Sequence, residues 1–384
     1  MSPPVAPPAL AKHVYVHVPF CRRRCTYCDF AIAVRRTVPA RAFIDSLIRE
    51  IELRYPDQPA RDIDTLYFGG GTPSLLGADG VARLLDRLRA HFRFDDRAEV
   101  TLEANPDDVT VETAAAWRAG GVNRLSIGAQ SFDERVLVWM HRTHSADRIE
   151  HAVAAAREAG IGNLSLDLIF ALPTSLGRNW DEDLRRALAL DPAHLSLYGL
   201  TVEPATPLAR WRDRQLVDEA ADDVYERDFL LADETLAASG FEHYEVSNYA
   251  RPGYRARHNS SYWQHAAYDG FGPSAHSFAA QRRRWNARDF AEWSRLLADG
   301  CDPCAGDEVL TQDNLETERI YLGLRTSHGV GIARRAQPVD FGMVDRWIAS
   351  GWAVRDDTTL RLTARGWLRL DALATDLTAV SSHS

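Results

Sequence analysis

The chain has 384 residues, 45% of them hydrophobic and 26% charged, and 45 Lys+Arg against 54 Asp+Glu give a formal net charge of −9. These values exclude disordered and fibrous classes, and the length predicts two or three domains. No apolar run approaches the ~20 residues a membrane helix needs, and the acidic balance argues against broad affinity for nucleic acid.

The opening Met1-Ser2-Pro3-Pro4-Val5-Ala6-Pro7-Pro8 has neither a cationic region nor an apolar core. No secretory signal is expected, and 1–12 reads as a flexible Pro-rich tail. From residue 13 a unit recurs: a short apolar strand, a loop and an amphipathic helix. The predicted strands are His13–Phe20, Thr65–Gly70, Val100–Asn105, Arg124–Ser131, Leu164–Leu172 and His194–Val202. Val81, Leu84, Leu85, Leu88 and Phe92 recur on one helix face. One helix starts near Thr110 and stops at Gly120-Gly121; another, capped by Ser145, stops at Gly160. Alternating βα units imply a parallel sheet with right-handed crossovers.

Polar and glycine residues gather where these strands end: Cys21, then Gly69-Gly70-Gly71-Thr72, Glu103 and Asn105, Gln130, Pro173 and Glu203. In a parallel βα barrel those ends share one face, the face on which active sites form. After residue 204 the regularity fades. A helix near Val217–Ser239 leads to an aromatic segment, Phe241–Phe278. Helices around Asn314–Leu324 and Asp340–Ser350, two strands about Asp356-Asp357 and a final helix resemble a small winged-helix module. Nine Arg against nine Asp+Glu from residue 310 onward leave that module neutral, which suits packing better than reading DNA. Ser381–Ser384 reads as a frayed end.

There are five cysteines, and three fall in Cys21-Arg22-Arg23-Arg24-Cys25-Thr26-Tyr27-Cys28, a C-x3-C-x2-C spacing on the loop leaving the first strand. Without an export signal a disulfide framework is not expected; clustered thiols then bind metal or do redox chemistry. Thiolates select zinc, copper(I) or iron–sulfur clusters. Structural zinc wants two pairs, and Cys301-Asp302-Pro303-Cys304 stands alone as an incidental C-x2-C. A [4Fe–4S] cluster ordinarily takes four cysteines, so three leave one iron open for a non-protein ligand.

The spacing resembles the signature of the radical S-adenosylmethionine (SAM) superfamily. From Tyr15 to Leu373 the chain is similar to the subgroup holding oxygen-independent coproporphyrinogen III oxidase and the HemW-like heme chaperones. The resemblance implies an α/β fold: a partial parallel (β/α)6 radical SAM barrel over 13–235, an aromatic-rich α+β extension over 236–309 and a winged-helix-like domain over 310–380. It also implies that Cys21, Cys25 and Cys28 hold a [4Fe–4S] cluster. Tyr15 and Tyr27 would lie beside SAM. Gly70, Gly71 and Thr72 would approach its methionyl end, where backbone amides reach a carboxylate only if no Cβ intervenes. Glu103 would take the ribose hydroxyls, and Gln130, Arg142 and Asp167 match further contacts.

Two features separate the subgroup's members. The oxidases carry a fourth cysteine two residues after the third, where this chain has Phe30. His258-Asn259-Ser260-Ser261-Tyr262-Trp263 matches the H-N-x-x-Y-W motif of the heme chaperones, which implies that His258 binds heme; imidazole is a common axial ligand. Three positions depart from the subgroup: Ala256 stands for a cysteine, and His141 and Thr174 for glycines. Arg22-Arg23-Arg24 reads as a contact for heme propionates or an electron donor, or as a solvated loop. The resemblance therefore implies a cytoplasmic heme chaperone with cluster, SAM and heme as cofactors. Its partners would be acceptor hemoproteins, membrane-associated ones among them, and an electron donor. Decarboxylation of coproporphyrinogen III is the alternative.

Overall fold

The computed structural model describes residues 11–95, 97–332 and 340–379. The first ten residues of the expected tail, and the expected frayed end, lie outside them. The six strand–helix units occur in the predicted order: β1 (His13–Val18), α1 (Ala40–Arg54), β2 (Thr65–Gly70), α2 (Gly77–Leu88), β3 (Glu99–Ala104), α3 (Val111–Gly120), β4 (Arg124–Gln130), α4 (Ala146–Glu158), β5 (Asn163–Phe170), α5 (Trp180–Ala189) and β6 (His194–Gly199). The α/β class is as expected, with a mostly parallel central sheet.

Local chemistry explains the helix limits. Val81, Leu84, Leu85 and Leu88 form the buried face of α2. Phe92, predicted on that face, lies instead in the strand Phe92–Arg93, paired with Arg61–Asp62, with its ring 6.0 Å from that of Phe271. Its spacing fits the helix, but the helix has already ended. Thr110 and Thr113 cap α3 reciprocally, and Gly121 ends it at φ 109°. Ser145 stands at the N-cap of α4 without a side-chain bond; Glu134 Oε1 accepts the Ala146 amide at 2.6 Å in its place.

The chain packs as two compact units. The first comprises the described residues up to Asp167 together with Thr201–Val217 and Ala266–Val309; the second comprises Leu168–Leu200, Asp218–His265 and the rest from Leu310. In the first, β1 pairs in parallel with β2, β2 with β3 and β3 with β4. On the other side of β1 runs Tyr268–Phe271, also parallel, with His13 opposite Tyr268. His276–Ala279, Arg282–Asn286 and Cys304–Val309 follow antiparallel. A buried carboxylate fastens α1 to this addition. Glu50 accepts from the Gly272 amide at 2.9 Å, Asn286 Nδ2 at 2.6 Å and Trp293 Nε1 at 2.9 Å.

In the second unit β6 pairs antiparallel with Asn248–Ala250, which pairs with Glu242–Glu245. Its C-terminal part has helices Gln312–Leu324 and Phe341–Ala349, then a sheet in the order Val330–Gly331, Thr359–Leu362, Ala353–Arg355. That is the helix–helix–wing succession expected. Thr359–Leu362 and Ala353–Arg355 form a hairpin about Asp356, whose carboxylate accepts from the amides of Thr358 and Thr359.

Candidate functional site

The three clustered cysteines sit on a loop closed at its base. Phe20–Cys21 pairs with Ala33–Val34, the Ala33 amide donates to Pro19 O at 2.7 Å and the Arg35 amide to Cys21 O at 2.9 Å. Midway, the Thr26 amide donates to Met140 O and Thr26 O accepts from the Leu208 amide. All three thiols are free of disulfides. Cys21 Sγ lies 3.5 Å from Thr72 Oγ1, and Arg142 Nη1 donates to Cys25 Sγ at 3.5 Å. Burial pushes the Cys21 thiol up to about 11, and the charges of Cys28 and Cys25 add to that rise. Burial likewise raises Cys28. Three thiols within electrostatic reach of one another, with one buried guanidinium beside them, are short of positive charge. A metal centre that binds thiolates supplies it and displaces their protons. Among the described residues no three His, Cys, Asp or Glu side chains converge on a single-ion site. A cubane takes its thiolates on separate irons, so a wider spread fits it.

Beside this loop, the end of β2 is shaped by two glycines. Gly70 has φ 111°, and a Cβ there would lie 2.6 Å from the His17 ring. A Cβ on Gly71 would lie 2.7 Å from Phe20 O. Neither site admits a side chain, and both amides are already engaged, that of Gly70 by Glu103 and that of Gly71 by Val18 O at 2.8 Å, so the glycines serve the close packing of this strand end rather than the open amides expected for a carboxylate. Glu103, at the end of β3, accepts from Tyr67 Oη at 2.7 Å and from the Gly70 amide at 3.2 Å. Burial raises its carboxyl to about 7, and the Asp167 charge adds to the effect. Asp167 accepts from Ser126 Oγ at 3.0 Å and Ser165 Oγ at 3.2 Å. Tyr15 stacks on Tyr67, with ring centroids 6.1 Å apart. Its phenol is raised, by burial first and the Glu103 charge second. Tyr27 is raised too, by burial and then by Cys25.

Arg142 anchors the opposite rim. Its Nη2 donates to Gly128 O at 2.9 Å. Gly128 leaves room for it and for Gln130: a Cβ there would meet Gln130 Nε2 at 2.9 Å and Arg142 Nη2 at 3.2 Å. His141, where relatives were expected to have glycine, adopts φ 59°, the left-handed conformation glycine takes without strain. Its ring meets Trp211 edge-on at 5.7 Å. Asn105 is taken up in capping the Pro106–Asp108 turn. Within the first unit, then, Gly70, Gly71, Thr72, Glu103 and Gln130 lie at or next to the C-terminal ends of β2–β4, the cysteines and Tyr27 lie on the segment after β1 and Arg142 follows β4, whereas Tyr15 and Asp167 lie within β1 and β5.

His258 belongs to the second unit, on the helix Arg257–Trp263. It is 1% exposed, and its Nε2 lies 2.8 Å from Tyr262 Oη. Ala256 is wholly buried, and its amide donates to Tyr244 Oη at 3.2 Å. Arg325 covers the Trp263 ring at 5.0 Å.

Residues 15–187 match the radical SAM superfamily. The heme chaperone HemW of Mycobacterium tuberculosis is 38% identical over 367 residues, covering 95% of this chain and 94% of that protein. The chain belongs to the HemW family. HemW of Escherichia coli is 37% identical over 264 residues, 68% of this chain and 69% of that one. In fold, the chain matches the radical SAM coproporphyrinogen III oxidase of Escherichia coli with a TM-score of 0.80, covering 95% of this chain and 89% of that one at 22% identity. Membership of this radical SAM family carries with it a [4Fe–4S] cluster and SAM, which the free thiols and the glycine-lined strand end fit.

Sequence reasoning about the HemW-like motifs passed over two residues that hold the site together. His17 Nε2 lies 2.9 Å from Ala31 O, a pure acceptor, so that nitrogen carries the proton and Tyr15 Oη donates to Nδ1 at 3.1 Å. Tyr67 orients Glu103. Their signal was present: Tyr15 and His17 are two residues apart on β1, hence on one face, and Tyr67 is the register partner of Tyr15 on β2.

Proposed function

We propose that this chain is a heme chaperone that binds heme and delivers it to acceptor hemoproteins. It would hold a [4Fe–4S] cluster on Cys21, Cys25 and Cys28, with SAM beside it. The observation that carries this reading is the 38% identity to a heme chaperone over 94% of that protein's length. Phe30, standing where the oxidases have a fourth cysteine, agrees with it.

When bound, the cluster supplies one-electron reducing chemistry toward the SAM sulfonium. The chain's own residues bind and orient. Gly70 and Gly71 let the strand end pack against His17 and Phe20, their amides being given to Glu103 and to Val18 O; Glu103, ionised, would accept from two ribose hydroxyls; Tyr67 fixes Glu103 and His17 fixes Tyr15 in place. Arg142 balances thiolate charge at Cys25. In the second unit His258 offers an imidazole to heme iron, which requires Nε2 to exchange its Tyr262 partner for the metal. No helix among the described residues is long and apolar enough to cross a membrane, and cytoplasmic delivery, including to membrane-associated acceptors, suits that. The second reading, coproporphyrinogen III decarboxylation, is favoured by the fold match alone.

Anaerobic reconstitution of the cluster, followed by heme or coproporphyrinogen III in separate reactions with SAM and reductant, tests the two readings. Stable heme binding without protoporphyrinogen formation is the expected result; efficient decarboxylation overturns it. Heme spectra of His258→Ala test the ligand, and an unchanged Soret band removes that residue from the proposal.

A further inference from the structure

The cysteine loop is the basic exception on an acidic protein. Residues 22–36 hold Arg22, Arg23, Arg24, Arg35 and Arg36 against Asp29 as their single acid, in a chain of net charge −9. All five arginines are exposed. Only Arg22 is neutralised, by Asp108 at 2.9 Å. Arg24 and Arg35 donate to backbone carbonyls, of Cys28 and Val34. Arg288 comes to the same loop and donates to Asp29 O at 2.7 Å. Among the described residues, Arg23, Arg24, Arg35, Arg36 and Arg288 have no carboxylate partner. Elsewhere among the described residues of this unit, unmatched exposed arginines such as Arg49 and Arg118 are scattered in the sequence, and Arg93, Arg97, Arg135 and Arg282 each pair with a carboxylate at 2.7–2.9 Å. Amid the unmatched charges stand two exposed apolar side chains, Phe30 at 60% and Val34 at 45%.

We propose that this basic, apolar-centred face around the cysteine loop docks an acidic protein carrying a one-electron centre. The inference rests on the reading of Cys21, Cys25 and Cys28 as cluster ligands. A reduced carrier seated here gives up one electron to that centre and leaves oxidised by one electron. Charge complementarity selects the partner's sign: unpaired surface arginines steer an acidic protein and repel a basic one. Phe30 and Val34 supply the apolar middle that a protein interface has and a bare carboxylate site lacks. Position selects its chemistry, because Phe30 is two residues from Cys28 and the face therefore borders the thiols.

The test compares the reconstituted wild-type chain with Arg23→Glu/Arg35→Glu/Arg36→Glu; Arg35 meets Cys21 through its backbone amide alone, which the substitution keeps, and among the described residues its side chain bonds only Val34 O. Fluorescence anisotropy of a labelled acidic flavodoxin is expected to show binding that weakens steeply with salt in the wild type. The variant should bind about tenfold or more weakly at low salt, and the two should converge above ~0.5 M, where screening lengths are a few ångströms. Reduced flavodoxin should bleach the cluster's visible absorbance more slowly in the variant in the same proportion, while dithionite bleaches both equally. Equal flavodoxin binding by both proteins overturns the proposal. So does an unaltered flavodoxin affinity accompanied by lost binding of heme or of phosphatidylglycerol vesicles, which would assign the arginines to cargo or membrane. Failure of dithionite to bleach either protein overturns the cluster reading, and this inference with it.

Discussion

Glu103 gives a prediction with two linked signs. Burial outweighs the hydrogen bonds from Tyr67 and Gly70 and lifts its carboxyl to about 7, against an ordinary 4.5. A carboxyl raised on folding contributes stability that is fully present below about pH 4.5 and is lost as pH rises through 7. The difference of 2.5 units corresponds to about 3 kcal/mol. Glu103→Gln removes that dependence, so the variant's stability relative to wild type should rise by about 3 kcal/mol between pH 4.5 and 8. Denaturant unfolding at several pH values measures it. Ligand binding runs the other way. A ribose is held by the ionised carboxylate, so SAM affinity should be greatest above pH 8 and about tenfold weaker at pH 6, where roughly a tenth of Glu103 is ionised. Calorimetric titration of SAM from pH 5.5 to 8.5 reads this slope, with Glu103→Gln as the control that subtracts the ligand's own titration. A flat wild-type profile, or one indistinguishable from that of the variant, refutes the assignment.

Three further outcomes follow from packing. Gly70→Ala forces a Cβ to 2.6 Å from the His17 ring at φ 111°. A loss of about 2–4 kcal/mol in unfolding free energy and a collapse of SAM affinity are expected. Glu50→Ala strands Trp293 Nε1 and the Gly272 amide without their buried acceptor, while Asn286 Nδ2 keeps Gly272 O and Arg54 keeps Asp269, and should cost about 2–4 kcal/mol by denaturant titration. His141→Gly relieves a left-handed histidine and should raise stability by about 0.5–1 kcal/mol; a loss larger than that would show that the Trp211 contact outweighs the strain.

The chemistry-bearing residues were legible because they are local in sequence: C-x3-C-x2-C, Gly-Gly-Gly-Thr and the polar residue closing each strand can all be read within a few positions. The six strands were legible for the same reason, as apolar runs bounded by turn residues. Tyr268-Asp269-Gly270-Phe271 was not, since it has neither alternation nor a continuous apolar run. It is a strand because β1 offers an unpaired edge and because Arg54 and Arg61 meet Asp269. Phe92 misled through periodicity that outlasts its helix. Ser145 misled because a cap residue's role passed to Glu134, eleven positions upstream. His17 stayed hidden because its work, bridging Tyr15 and the Ala31 carbonyl, depends on a loop returning over the strand.

The pairing of His13 with Tyr268 bears on how such a chain is made. A ribosome delivering ~5–20 residues per second exposes β1 roughly 13–50 s before its outer neighbour leaves the exit tunnel. Through that interval one flank of the strand that leads into Cys21 is an open hydrogen-bonding edge, a template for intermolecular pairing. Segment by segment the chain also passes five times between its two units, so neither is finished when the other starts. Vectorial, one-domain-at-a-time maturation is therefore closed to it. Overexpression at lowered temperature, or with holdase chaperones that shield strand edges, should raise the soluble yield, and truncations ending before Tyr268 should aggregate however complete their cysteine motif.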